Sequence, residues 1–159
     1  MAKTSACKRR PKDCLVSGLL LAMLLIPVVR ASDLDLSAYR GKVVYVDFWA
    51  SWCGPCRESF PWLGNLVREF SSRDFVVIAV NVDKDRARAE RFLDNTPADF
   101  PIVYDPRGDI ATAYNVAGMP SAVLIDRDGH VRFQHAGFSA KKEEQYEADL
   151  LTLLNEKTH

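Results

Sequence analysis

The sequence predicts an α/β domain built on one mixed β-sheet flanked by helices, and three observations predict it. Apolar, β-branched runs alternate with amphipathic stretches from Lys42 to Leu154, the order that builds layers of sheet and helix. The first run leads into Trp52-Cys53-Gly54-Pro55-Cys56, two cysteines at a strand-to-helix junction. The last two runs are joined through Arg127-Asp128-Gly129, an Asp-Gly turn of the kind that closes an antiparallel hairpin. A parallel βαβ start and a hairpin finish make the sheet mixed.

Each element has its own local reason. Lys42 to Trp49 is apolar, β-branched and aromatic, and reads as a buried strand. Arg57 to Phe70 puts Phe60, Leu63, Val67 and Phe70 on one helical face, with Gly54-Pro55 at its start. Phe75 to Val82 is a second buried strand, Asp85 to Leu93 a charged helix, and Phe100 to Tyr104 a short strand. Asp105-Pro106-Arg107-Gly108 turns into a short helix, Asp109 to Tyr114. Ser121 to Asp126 and His130 to His135 form the hairpin. Lys141 to Leu154 closes the chain as a helix with Tyr146, Leu150, Leu153 and Leu154 on its apolar side. No internal repeat or low-complexity linker interrupts this order.

The N-terminus indicates where the domain works. Lys3, Lys8, Arg9, Arg10 and Lys12 form a basic region ahead of the apolar stretch Leu15 to Val29. As a helix those 15 residues reach about 22 Å, short of the ~30 Å hydrocarbon core. Residues 1–31 therefore read as a secretory signal peptide cut after Val29-Arg30-Ala31, with an uncleaved N-terminal membrane anchor as the alternative. Either places residues 32–159 as one exported domain, periplasmic or held at the inner membrane. The segment contains six of the 21 Lys+Arg and one of the 21 Asp+Glu, so the remainder carries 15 basic and 20 acidic residues, net −5. That charge gives no electrostatic case for nucleic acid.

Cys53 and Cys56 are the only cysteines outside that segment; the others are Cys7 and Cys14. An exported domain relying on disulfides for stability would hold more. Free amides and the positive dipole end at a helix start lower the pKa of a thiol such as Cys53. Cys56, one turn on, can attack a mixed disulfide formed on Cys53. The competing readings are a zinc half-site and a structural bridge. Zinc takes four ligands, and His130, His135 and His159 lack paired-ligand spacing; a bridge over so short a loop constrains the unfolded chain little. The chemistry needs no cofactor and no metal.

Three stretches carry a resemblance. Val46 to Arg57, through Trp52-Cys53-Gly54-Pro55-Cys56, resembles the active-site segment of the thioredoxin superfamily. Val80-Asn81-Val82-Asp83 is similar to the strand that follows it, and Gly118-Met119-Pro120-Ser121 with Val123 to Asp126 and Gly129 resembles the family's cis-proline loop, strand and turn. The segment Asp83 to Pro120 is long enough for an extra strand and helix, as in the exported TlpA/ResA type. The resemblance covers Leu36 to the C-terminus and implies a thioredoxin-like three-layer sandwich with that strand-helix insertion.

It also implies roles. Cys53 is the expected exposed nucleophile and Cys56 the buried resolving thiol. Trp52, Met119 and Pro120 are expected to bind substrate, with Met119-Pro120 cis and the Met119 backbone pairing with an extended segment. Trp49 reads as a partly buried core aromatic. Asp47, six residues before Cys53 on a buried strand, should be desolvated with its pKa raised; the resemblance makes it the proton acceptor for Cys56. The alternative for Asp47 is a capped or half-exposed structural residue. TlpA/ResA-type proteins often carry instead a Glu at the position held here by Ser59, and the Lys that often accompanies the thioredoxin Asp is replaced by Ala79.

The expected activity is thiol-disulfide exchange, with Gly54-Pro55 resembling reducing thioredoxins. The implied partners are disulfide-containing client proteins and a membrane electron donor of the DsbD or CcdA kind, with cytochrome c maturation a frequent role in this branch. Two alternatives remain: a non-catalytic binding or assembly module of the same fold, and a peroxiredoxin-like peroxidase, which would want a Thr-x-x-Cys site that this sequence does not supply.

Overall fold

A computed structural model describes residues 34–70 and 72–156; the expected signal peptide or anchor, with Cys7 and Cys14, lies outside them. Val43–Trp49 (β1), Phe75–Asn81 (β2), Ile102–Tyr104 (β3), Ser121–Ile125 (β4) and Val131–Ala136 (β5) form one sheet in the order β3-β2-β1-β4-β5. β2 runs parallel to β1 and to β3, while β4 runs antiparallel to β1 and to β5. β1 is the middle strand, and every one of its seven residues is buried. That is why, apart from Asp47, it reads as an apolar run rather than an alternating one.

The helices are Cys56–Phe70 (α1), Arg86–Asn95 (α2), Asp109–Ala113 (α3) and Glu143–Asn155 (α4). Alternation along β1 sorts the core into two halves. Val43, Tyr45 and Trp49 pack with Phe60, Leu63 and Leu66 of α1, Phe92 of α2 and Leu150 and Leu153 of α4. Val44, Val46 and Phe48 pack on the other face with Ile78, Val80, Val123 and Ala111 of α3. Helices on both faces give the expected three-layer sandwich, and the span from Asp83 to Pro120 holds α2, β3 and α3. Among the described residues no helix is long and apolar enough to cross a membrane.

The expected elements are all present, with shifts of one or two residues that have local causes. β3 starts at Ile102 rather than Phe100 because Pro101 has no N–H to give to a ladder; its carbonyl still accepts from Ala79 N at 2.9 Å. The C-terminal helix starts at Glu143, after a 3-10 turn at Ala140–Lys142. Val67 is half-buried, while Trp62 and Leu66 are buried alongside Phe60 and Leu63. The β4–β5 turn closes with Asp126 Oδ1 accepting from the amides of Asp128 and His130, and Gly129 at φ +91°, a backbone conformation that glycine adopts without steric cost.

The topology decides what meets what. β1 and β2 are parallel, so their C-terminal ends share one edge of the sheet. β4 is antiparallel to β1, with Ser121 opposite Phe48, so its N-terminal end lies on that edge too. The Cys53 loop, the Asn81–Asp83 segment and Met119-Pro120 are thereby gathered from three distant stretches of chain.

Candidate active site

Cys53 and Cys56 form a disulfide, with sulfurs 2.08 Å and Cα atoms 5.4 Å apart. Cys56 is the first residue of α1, and its N–H donates to Cys53 Sγ at 3.2 Å. Arg57 N and Glu58 N bond to the carbonyls of Gly54 and Pro55 at 3.1 Å each, opening the helix directly behind the pair. The first free amide of α1 is thus already aimed at Cys53 sulfur, and in the reduced protein it and the dipole behind it favour a thiolate there.

Cys56 is fully buried, as expected, but Cys53 is only 3% exposed, which corrects the expectation of an exposed thiol. In the disulfide the Cys53 sulfur meets both Cys56 Sγ and the Cys56 amide. The exposed member of the segment is Trp52, at 65%, which leaves a large aromatic surface beside the dithiol. Trp49 is fully buried rather than partly so, with its Nε1 unpaired and Phe60 edge-on and Phe92 tilted against it at 4.8 and 4.7 Å between ring centres.

Asp47 lies on the same face of β1 as Tyr45 and Trp49, the face covered by the dithiol helix. It is 3% exposed, and its Oδ2 has no hydrogen-bond partner. Ala79 and Ala122 flank it across the sheet, so neither neighbouring strand offers it a donor side chain. Burial pushes its carboxyl well above the ordinary carboxylate range, because ionisation there leaves a charge without water or partner. Ser59, where the related branch has Glu, is buried, and its hydroxyl donates to the Cys56 carbonyl at 3.2 Å.

Met119-Pro120 is a cis peptide. Gly137 N donates to the Pro120 carbonyl at 2.8 Å and Ser121 Oγ to the Gly118 carbonyl at 2.7 Å. A groove of about 410 Å³ runs along this loop, from Val116 past Met119 and Pro120 to Ala136 and Gly137.

One part of the site has no counterpart among the sequence expectations. Asp83, 4% exposed, accepts from Ser51 N at 2.7 Å and Ser51 Oγ at 2.9 Å, and from Asn81 Nδ2 at 2.8 Å. Its own amide donates to Asn81 Oδ1 at 3.1 Å. These bonds tie the loop two residues before Cys53 to the end of β2. The signal was legible in principle, since two amide or acid side chains end an otherwise apolar strand.

Among the described residues, Asp126, Asp128 and His130 bring potential metal-ligand atoms within 4.8 Å of one another. They sit at the sheet edge opposite the dithiol, and the Asp126 oxygens are already engaged by the turn amides and by Arg132. His135 is also apart from the dithiol chemistry. Its ring stacks on Tyr146 at 3.9 Å, its Nε2 meets Asp149 at 2.8 Å, and burial holds its pKa below the usual value.

A family model, Redoxin, matches residues 28–150. The thiol-disulfide oxidoreductase ResA of Geobacillus kaustophilus is 35% identical over 108 residues, covering 68% of this chain and 62% of the relative. ResA of Bacillus subtilis is 34% identical over 98 residues, 62% of this chain and 55% of the relative. The chain thus spans somewhat over half the length of these two relatives. A crystal structure from Chlorobium tepidum, assigned as a thiol:disulfide interchange protein DsbE, has a TM-score of 0.75 at 45% identity, over 77% of this chain and 86% of that one. A CxxC disulfide at the head of a helix, a cis-proline loop on the same sheet edge and these likenesses converge: the chain belongs to the Redoxin family, as a ResA-type member of the thioredoxin superfamily.

Proposed function

We propose that this protein is an exported disulfide reductase whose Cys53/Cys56 dithiol passes two electrons to client proteins. The observation that carries the reading is the Cys56 amide on the Cys53 sulfur, which favours Cys53 as the thiolate that attacks. The Cys53 thiolate attacks one sulfur of a client disulfide. That S–S bond breaks, the other client sulfur leaves as a thiolate and takes up a proton, and a mixed disulfide joins Cys53 to the client. Cys56 then gives its proton to ionised Asp47, and its thiolate attacks Cys53 Sγ. The mixed disulfide breaks, the second client thiol departs, and the Cys53–Cys56 disulfide forms. The dithiol is oxidised and the client reduced by two electrons.

An extended client segment lies in the groove beside Met119 and Pro120, with the exposed Trp52 as a further contact next to the dithiol. Recharging takes two electrons from outside the domain, and a membrane thiol donor of the DsbD or CcdA kind supplies them. Export follows from the basic-then-apolar residues 1–31, and cytochrome c maturation is the client process that best suits this branch.

The test replaces Cys56 with Ser. Covalent client adducts should accumulate on Cys53 and vanish when Cys53 is replaced as well; adducts forming equally on either single variant would overturn the roles. The direction is tested by equilibration against redox buffers. A reductase should poise nearer the reducing thioredoxin value of about −270 mV than the DsbA value of about −120 mV, and a result at the upper end would make the protein an oxidant.

A further inference from the structure

We infer that the face of α2 beside the dithiol is an arginine-lined anion site that selects client segments carrying carboxylates near the reacting disulfide. This deepens the proposed reductase reading and rests on it. A cavity of about 360 Å³ is lined by Arg57, Arg88, Arg91, Asn95 and Thr96, with Phe92 and Ser51 completing it. Ser51 stands two residues before Cys53, and Arg57 directly follows Cys56, so the cavity opens against the dithiol loop itself.

The arginines gather from two elements. Arg88, Arg91 and Asn95 recur at i, i+3 and i+7 and share one face of α2. Arg57 reaches across from α1, its guanidinium 5.7 Å from the centre of the Phe92 ring, which holds a flexible side chain over an aromatic face. No carboxylate lines the cavity. Arg88 has a loose pairing at 3.9 Å with Asp85, and among the described residues the Arg91 guanidinium has no partner. The nearby buried carboxylate, Asp83, has its oxygens engaged by Ser51 and Asn81.

This arrangement works against the helix that carries it. Arg86 and Arg88 sit in the first turn of α2, where the helix dipole disfavours positive charge and the N-cap Asp85 is the acid at that end. Arg88 and Arg91 repel one turn apart. The expected exported domain is net acidic, so three arginines around one cavity with no carboxylate in its lining are not a by-product of a basic surface. A local rule broken beside an active site marks a functional position. Guanidinium forks match carboxylates in bidentate geometry, and a client acid within a few residues of its cysteine can reach them while the disulfide faces Cys53.

The experiment measures kcat/KM of the reduced protein on disulfide-bridged peptides that differ only in Glu, Gln or Lys beside the cysteine. The Glu peptide should lead the Gln peptide by about three- to tenfold, the size of two or three exposed charge pairs. The Lys peptide should be poorest, and the spread should shrink with added salt. In Arg88→Gln/Arg91→Gln the Glu-to-Gln ratio should fall close to one. Equal rates for all three peptides, or a preference that survives in the double variant, overturn the inference while leaving the reductase reading intact. Should no peptide be reduced, the reductase reading itself fails. The site is then decided by binding of a cysteine-free Glu peptide, followed through the arginine Nε–H resonances. Inorganic phosphate shifting those resonances as strongly as the peptide does would make this a free-anion site and overturn the client assignment.

Discussion

Two buried carboxylates flank the dithiol loop, and their surroundings are opposite. Asp83 and Asp47 are 4% and 3% exposed, and both lie at the sheet edge that carries Cys53. Asp83 accepts three hydrogen bonds and gives one from its backbone. Asp47 faces Ala79 and Ala122 and has an oxygen with no partner at all. A buried acid whose oxygens are satisfied is a fastener; one left unpaired has its pKa raised by burial and can move a proton. The same residue type at similar burial thus serves position in one place and chemistry in the other.

The comparison breaks first on rates. Asp47→Asn should slow resolution of the mixed disulfide by about 10²–10⁴-fold at neutral pH and leave the first attack by Cys53 nearly unchanged, as stopped-flow measurement of the two steps would show. Unchanged resolution would assign the proton to water and make Asp47 structural. On the other side, Asp83→Ala should cost about 3 kcal/mol or more of unfolding free energy, because Ser51 N–H, Ser51 Oγ and Asn81 Nδ2 lose their acceptor together. Chemical denaturation reads that loss, and a cost below 1 kcal/mol would mean that the loop holds its shape without the network.

A pH series sharpens the contrast. Burial raises the folded pKa of Asp47, so the unfolded chain releases this proton first as pH rises. Stability associated with neutral Asp47 is fully present below the ordinary Asp value of about 3.9 and is lost as pH rises toward and through the raised folded value. Asp47→Asn removes that loss. Its melting temperature should therefore exceed that of the unmodified protein by a margin that widens from pH 4 to neutral; a constant margin would contradict the raised pKa. The smallest effect is expected from Ser51→Ala, which deletes only the Oγ bond to Asp83 and should cost about 1 kcal/mol with little change in exchange rate.

How much of this was legible in sequence follows from the range of each interaction. The dithiol reads directly because its chemistry is local: a sulfur, an amide three residues on and a helix start lie within one turn of chain. β1 reads because burial on both faces leaves a run that is apolar but for Asp47, and the final hairpin because Asp128-Gly129 suits the turn. The depth of Cys53 did not read, since it depends on how the whole loop packs in the folded domain.

Long-range partners were decided elsewhere. Ser51 and Asp83 are 32 residues apart, and Arg57 lies about as far in sequence from Arg88 and Arg91; nothing in either segment names the other. That Asp47 is orphaned depends on strand register, which sets Ala79 and Ala122 beside it where a one-residue slip would bring different side chains. Local pattern alone determined which residues form strands and helices and where a reactive thiol pair sits, because propensity, periodicity and helix-end electrostatics act over a few residues. Strand order and register, set only when the whole core packs, determined which buried acid is satisfied, which is free to titrate, and which arginines share a cavity beside the dithiol.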